Sequence, residues 1–336
     1  MDFERALQDA DKRLGNDGKI GVPYWDFADI DREGPMIPKM IREMEFPRDA
    51  MIADPNGDAA RLYNRGYSRI RSDEEIRDRF RSAEIQQKVD ECLKQTEHWK
   101  FASTRWGGGT SVESPHNIAH TVVGYPLSSV KFAAFSPIFY LIHANADRIL
   151  DKYLQIETDS EMEFKQYQKR LHEEEGERNR FEEPLRPFMN PITKEEFRVV
   201  DTFDSEALGY KYDKHPTLKP PQMRSQPIVA AFRGIDITPL RGRSVELHVF
   251  VFEKGRMSTH HFHPGKDHRE WGKNPNYGGL GCVFGGKGTD CVNCKESKPI
   301  NVFVDIGQRL AKMSLTQHEV ELRVWTYVCI FIFSTF

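Results

Sequence analysis

His116 and His120 stand four residues apart in SVESPHNIAHTVVGY, residues 111–125, directly after a Ser-Pro pair. Ser114 reads as an N-cap and Pro115 as the first helical residue, so the stretch predicts a helix. Both imidazoles then share one face, with Cβ atoms roughly 5–6 Å apart, which is a bidentate grip for a metal. Taken alone, the pair is also what a polar patch on a surface helix looks like. A second segment, AAFSPIFYLIHANADRIL at residues 133–150, repeats the device. Ser136 and Pro137 start a helix, and His143 lies about two turns in, among Ile138, Phe139, Leu141 and Ile142. His143 is expected to be a third ligand facing the first two, with Asn145 nearby and Asp147 one turn on to fix its ring tautomer. The alternative is a buried histidine satisfied by a hydrogen bond. Three neutral imidazoles without a thiolate or an obvious carboxylate suit copper or zinc, and spacing does not choose between them.

The chain that must position these residues has 336 of them, with 48 Lys+Arg against 51 Asp+Glu. That length suits two domains or one large domain with an appended module. The balanced charge gives no basic field for nucleic acid, so the expected partners are small molecules. MDFERALQDADKRLGNDGKI lacks a cationic start followed by an apolar core. No signal peptide is read there, and the chain as written is expected to be cytoplasmic. The C-terminal VWTYVCIFIFSTF is apolar but far shorter than the roughly 20 residues of a membrane span. Residues 327–336 are read as a buried or artefactual apolar tail. Cys92, Cys282, Cys291, Cys294 and Cys329 are odd in number with three close together, unlike a regular secreted disulfide framework.

Residues 1–160 are mainly helical by pattern, and the helical core is read as extending over 1–215. In SDEEIRDRFRSAEIQQKVDECL, Ile76, Phe80, Val89 and Leu93 recur at near-helical spacing and define an inward face. The charged run EFKQYQKRLHEEEGERNRFEEP predicts a solvated helix leading into an irregular connector, with a boundary near 215–225. Beyond it the period becomes two. Val245, Leu247, Val249 and Val251 alternate with Glu246, His248, Phe250 and Phe252, and INVFVDI and EVELRVW repeat the habit. Residues 226–326 therefore read as a small antiparallel β domain, a sandwich, appended to a helical-bundle core.

The combination of PYWDF at 23–27, SPHNIAH at 114–120 and FSPIFYLIHANADRI at 135–149 resembles the type-3 copper proteins, which are the tyrosinases, catechol oxidases and molluscan haemocyanins. The resemblance covers roughly residues 1–213. It implies a helical bundle holding two coppers, each on three histidines, that together bind dioxygen, and oxidation of phenols or o-diphenols to o-quinones. His116, His120 and His143 match the ligands of the second copper, the B site, so one copper is expected from these residues. Asn117 matches the position that in tyrosinases helps hold a water thought to deprotonate the phenol, and Glu113 is the nearest candidate for its glutamate partner. Phe139 matches an aromatic over the copper pair. Tyr210 and Tyr212 in YKYD resemble the tyrosine motif that closes the family's core.

Departures accompany the matches. The family usually has Asp where Ser136 stands and a His-His pair where this chain has Ile142-His143, which alters pocket polarity while keeping the ligating histidine. The histidines of the first copper would lie upstream of Met1, and His98 is the only histidine before the B site, so the core is expected to be N-terminally truncated. In LGCVFGGKGTDCVNCKES, Cys291 and Cys294 form a C-x-x-C pair near Cys282, suited to Cu(I), a disulfide or zinc. Some fungal tyrosinases carry such a pair to deliver copper, and the likeness implies copper handling here. MSTHHFHPGKDH adds Met257, His260, His261, His263 and His268, which are copper-compatible ligands or simply a polar loop. Two classes stay open: an oxidase acting on small phenols with dioxygen, expected to be impaired in the chain as written because the first copper's ligands are missing, or a non-catalytic protein. The latter is a haemocyanin-like oxygen binder or a mononuclear copper-binding remnant.

Overall fold

The computed structural model describes residues 2–43, 69–130, 133–158, 163–175, 181–190, 193–216, 228–236, 244–255, 262–284 and 300–328. The helices that matter for the site are α1 (Asp2–Arg13), α2 (Asp73–Ser82), α3 (Ile85–Cys92), α4 (Glu113–Val123), α5 (Pro137–Thr158), α6 (Phe164–Glu175) and α7 (Gly307–Met313). The strands are β1 (Arg69–Ile70), β2 (Gly124–Tyr125), β3 (Pro184–Met189), β4 (Glu196–Arg198), β5 (Val229–Ile235), β6 (Val245–Glu253), β7 (Tyr277–Val283), β8 (Ile300–Asp305) and β9 (Val320–Val328). No helix among the described residues is long and apolar enough to cross a membrane.

Local chemistry explains the helical part. Ser72 caps α2 by accepting the Glu75 amide at 3.2 Å, and Asp73, Glu74 and Glu75 fill the first turn, where the helix dipole favours anions. The apolar face of 72–93 does turn inward, with Ile76, Phe80, Val89 and Leu93 all buried. It is divided between two helices, because Glu84 takes a left-handed backbone (φ 51°) between α2 and α3. Trp25 and Phe27 join Ile118, Ile138, Ile142 and Tyr153 in one core. Arg148 of α5 binds the PYWDF segment to that core through Asp26 (3.0 Å). The charged run is less solvated than its composition implies, since α6 buries Tyr167 and Leu171. The connector that follows contains the β3–β4 hairpin rather than only irregular chain.

The β region forms two antiparallel sheets, β7-β6-β9 and β5-β8. Their apolar faces meet in a second core that includes Val245, Leu247, Val249, Val302 and Val304. Gly281 permits this closeness, because a Cβ there would lie 2.5 Å from Val302. The last strand runs to Val328, so Tyr327 and Val328 belong to the sheet and not to an apolar tail. Nearly all of β6 is buried on both faces. One face fills the second core, whereas the Glu246 and His248 side turns to the helices instead of to water. Leu280 of β7 likewise joins the helical core, which makes the β region a wall of the helical part.

Candidate metal centre

α4 begins one residue before Ser114. Val112 holds the N-cap position without a side-chain cap, correcting the expected Ser114 cap. Glu113 provides the reason. Its carboxylate accepts the Thr104 amide at 2.6 Å and the Thr104 and Ser103 hydroxyls at 2.8 and 3.3 Å, so the first turn is anchored to the preceding segment. Ser114 and Pro115 then fall inside that turn, where proline is tolerated. α5 begins at Pro137, as its Ser-Pro start predicts.

The two helices bring His116, His120 and His143 together. One ligand atom from each lies within 4.8 Å of the others, and among the described residues this is the one such cluster of His, Cys, Asp or Glu. His120 is completely buried, and the other two are partly buried. Each ring is oriented from behind. His120 Nδ1 donates to Leu127 O at 3.1 Å, His143 Nδ1 to Phe139 O at 2.7 Å, and His116 Nδ1 faces Asn117 Oδ1 at 3.0 Å. Those contacts leave the Nε2 atoms as inward-facing lone pairs. The Nε2 atoms of His116 and His143 face each other at 3.1 Å, and buried His120 Nε2 has no hydrogen-bond partner.

Two lone pairs at that distance repel, and an orphaned buried nitrogen is costly, so the donor set fits a cation seated among the three rings. Burial also lowers the basicity of all three, with neighbouring rings adding to it at His116 and His120; the His116 pKa is pushed down to about 4. The trio is therefore neutral near pH 7, the form that binds metal.

The surroundings redistribute several expected roles. Asn145 and Asp147 are not the hydrogen-bond partners of His143: Asn145 accepts from Arg148 at 2.7 Å, and Asp147 accepts the hydroxyls of Tyr210 and Tyr212 at 2.8 and 2.5 Å. The His143 ring is instead fixed by a carbonyl one turn back on its own helix, which needs no outside partner. Tyr210 and Tyr212 thereby pin the segment after the helical core to α5. Asn117 sits on His116, while Glu113 is engaged at the helix start. Phe139 packs on His143 with ring centroids 4.1 Å apart, and Ile142 is buried in the core.

Cys282 is half-buried, and Cys291, Cys294, Met257, His260 and His261 lie outside the described residues. His263 and His268 pack on Trp325 and Tyr327, away from the trio.

One residue at the centre escaped sequence reasoning. Phe284, just beyond β7, stacks on His120 (centroids 4.2 Å, 29° between planes) and meets His116 edge-on. The alternation of Leu280, Cys282 and Phe284 was its signal, because all three face the helices. A cavity of about 440 Å³ runs along the same seam, lined by His116, Asn117, Glu113, Cys282, Phe284 and Phe303 among others.

Residues 1–156 match the family model described as the common central domain of tyrosinase. Hemocyanin 2 of Megathura crenulata is 28% identical over 235 residues, covering 63% of this chain and 6% of that protein. Tyrosinase HcTyr1 of Hahella sp. (strain CCB-MM4) is 23% identical over 217 residues, covering 62% of this chain and 43% of its own. A functional unit of octopus hemocyanin superposes with a TM-score of 0.58 at 19% identity, over 97% of this chain and 75% of that one. The tyrosinase of Burkholderia thailandensis at high pH gives 0.57 at 16% identity, over 96% and 80%. Both structural likenesses are likenesses of fold. The chain spans only 6% and 16% of the first two hemocyanins it matches.

Proposed function

Since this chain belongs to the type-3 copper family of the tyrosinases and haemocyanins, we propose that His116, His120 and His143 hold one copper ion. We propose further that the chain serves oxidation of phenols or o-diphenols to o-quinones with dioxygen. The observation that carries this reading is the convergence of three imidazole lone pairs at one buried point. Copper bound there supplies a one-electron redox couple, the property dioxygen chemistry needs.

The chain's own residues do the positioning. Leu127 O, Phe139 O and Asn117 hold the Nδ1 protons, keeping each Nε2 free for metal. The cavity beside His116 offers a flat aromatic substrate apolar walls from Ile118, Val302 and Phe303, with Asn117 and Asn301 as polar groups. The two sheets are read as a sandwich module covering the trio, with Phe284 as the covering side chain. The family's paired-copper chemistry needs a second histidine group, so the copper count per chain is the informative number.

The test is copper per purified chain, measured together with catechol oxidation by the same sample. Two coppers with turnover support the oxidase, and copper abolished by His143→Ala supports the ligand set. Unchanged copper in that variant would sink the site. A second reading, the haemocyanin-like oxygen binder or mononuclear copper remnant, is favoured by Phe284, which occupies space beside His120 that a phenol ring would need. It predicts copper without turnover.

A further inference from the structure

Glu246 lies in β6, fully buried, on the face turned to the helices. It forms ion pairs with Arg79 of α2 and, at 3.0 Å, with Arg71, and its Oε2 contacts His248 Nε2 at 3.2 Å. Burial alone would raise its pKa, but the two guanidinium groups outweigh that and hold it well below the usual carboxylate range. The side chain is a carboxylate at any physiological pH.

Arg71 carries the contact onward. Its guanidinium donates to Thr121 O at 2.9 Å and Val122 O at 2.8 Å, and its backbone N–H donates to Val123 O at 3.0 Å. These are carbonyls of the last turn of α4, the acceptors a helix terminus leaves without intrahelical partners. A cation is also favoured at that end of the helix dipole. α4 is the helix that bears His116 and His120. A neighbouring tether runs in parallel: Ser244 Oγ donates to Ser128 O at 2.6 Å, and the adjacent Leu127 O holds the His120 ring.

We propose that Glu246 is a positioning residue for the metal-binding histidines, acting from the β region through Arg71 on the C-terminal end of α4. The proposal rests on the reading of the three histidines as a metal site. Its physical basis is competition for Arg71. Glu75 also pairs with the guanidinium, at 3.2 Å from Nε. Without the Glu246 charge, the guanidinium loses its partner in the β region and follows Glu75 toward α2. The carbonyls of α4 are then left to fray, and the His120 ring loses its fixed depth.

The test is a cobalt(II) titration of the full chain followed through the visible ligand-field bands, which report the geometry of an imidazole site independently of turnover. Glu246→Gln keeps the volume and removes the charge. It is expected to weaken cobalt binding about tenfold or more, as loss of an outer partner typically does, and to shift the bands. Arg71→Met is expected to do the same, and the double variant no worse than Arg71→Met alone, because both act through one path.

A folded Glu246→Gln protein with wild-type affinity and bands overturns the inference. Should that variant fail to fold, Arg71→Met decides by the same criterion, since it removes the link to the α4 carbonyls while Glu246 keeps its ion pair with Arg79. His120→Ala separates the two readings. If it binds cobalt like wild type, the metal site itself is wrong; if it loses cobalt while the Glu246 variants do not, only the positioning role falls.

Discussion

Replacing Phe284 with Ala removes the ring that covers the histidines. That ring makes two aromatic contacts, stacked on His120 at 4.2 Å and edge-on to His116 at 6.2 Å. At about 0.5–1.5 kcal/mol each, the cover is worth roughly 1–3 kcal/mol. If metal reaches the lone pairs only when the ring swings aside, its removal speeds loading by about 5- to 150-fold, since 1.4 kcal/mol is a factor of ten. The cost to the fold is similarly about 1–3 kcal/mol, because the side chain is only partly buried and its loss enlarges an open seam rather than a sealed void. The assay is stopped-flow copper(II) association with the metal-free chain, read by quenching of intrinsic fluorescence, with thermal unfolding of the same samples. An unchanged association rate in a folded variant would refute the argument. The cavity that already opens beside His116 would then be the route, and Phe284 a packing residue.

Two further outcomes follow from buried groups. His98 is 8% exposed among Phe101, Tyr153, Phe181 and Phe203, and burial lowers its pKa to about 4. The unfolded chain takes up that proton near pH 6.5, so the stability His98 provides as a neutral ring is present above 6.5 and lost as pH falls toward 4. The loss is worth roughly 3 kcal/mol. His98→Phe should flatten that slope, as seen in urea midpoints at pH 7 and 4.5; an undiminished slope would place the acid sensitivity elsewhere. Arg148 is 2% exposed, donates to Asp26, Asn145 and Lys214 O, and lies over the Tyr24 ring. Arg148→Met should cost about 1–3 kcal/mol in denaturant unfolding, because it leaves the buried Asn145 Oδ1 without its donor, while the partly exposed Asp26 keeps the Ala28 N–H. A loss under about 1 kcal/mol would show that the partners rehydrate freely.

What was legible in the sequence is what depends on near neighbours along the chain. Four-residue spacing is enough to put His116 and His120 on one helix face, and a Ser-Pro start is enough to begin α5. Period two is enough to make β6 a strand. The contacts that complete the site depend on distant pairings. Glu246 reads as the polar side of an amphipathic strand until Arg71 and Arg79 are known to face it. Asp147 sits at helical spacing from His143, yet two tyrosines more than 60 residues later claim it, at sequence separations of 63 and 65. The Ser114 cap failed for the same reason, since Glu113 found partners at Ser103 and Thr104 that no helix-start rule includes. Phe284 was visible only as the third member of an alternating row.

β6 is paired on one edge by β7 and on the other by β9, which leaves the ribosome about 70 residues after β6 ends. At roughly 5–20 residues per second, that edge waits several seconds for its partner. Throughout that interval it presents Val245, Leu247, Val249 and Val251 at the period that recruits foreign strands. Glu246, on the opposite face of the same strand, repels the matching carboxylate of a second nascent copy aligned parallel and in register. Arg71 and Arg79, which neutralise Glu246, are made first, so the strand that docks correctly is relieved of its charge, whereas one that meets its own kind keeps it. The group compensated in the finished protein thus acts as a shield in the unfinished one.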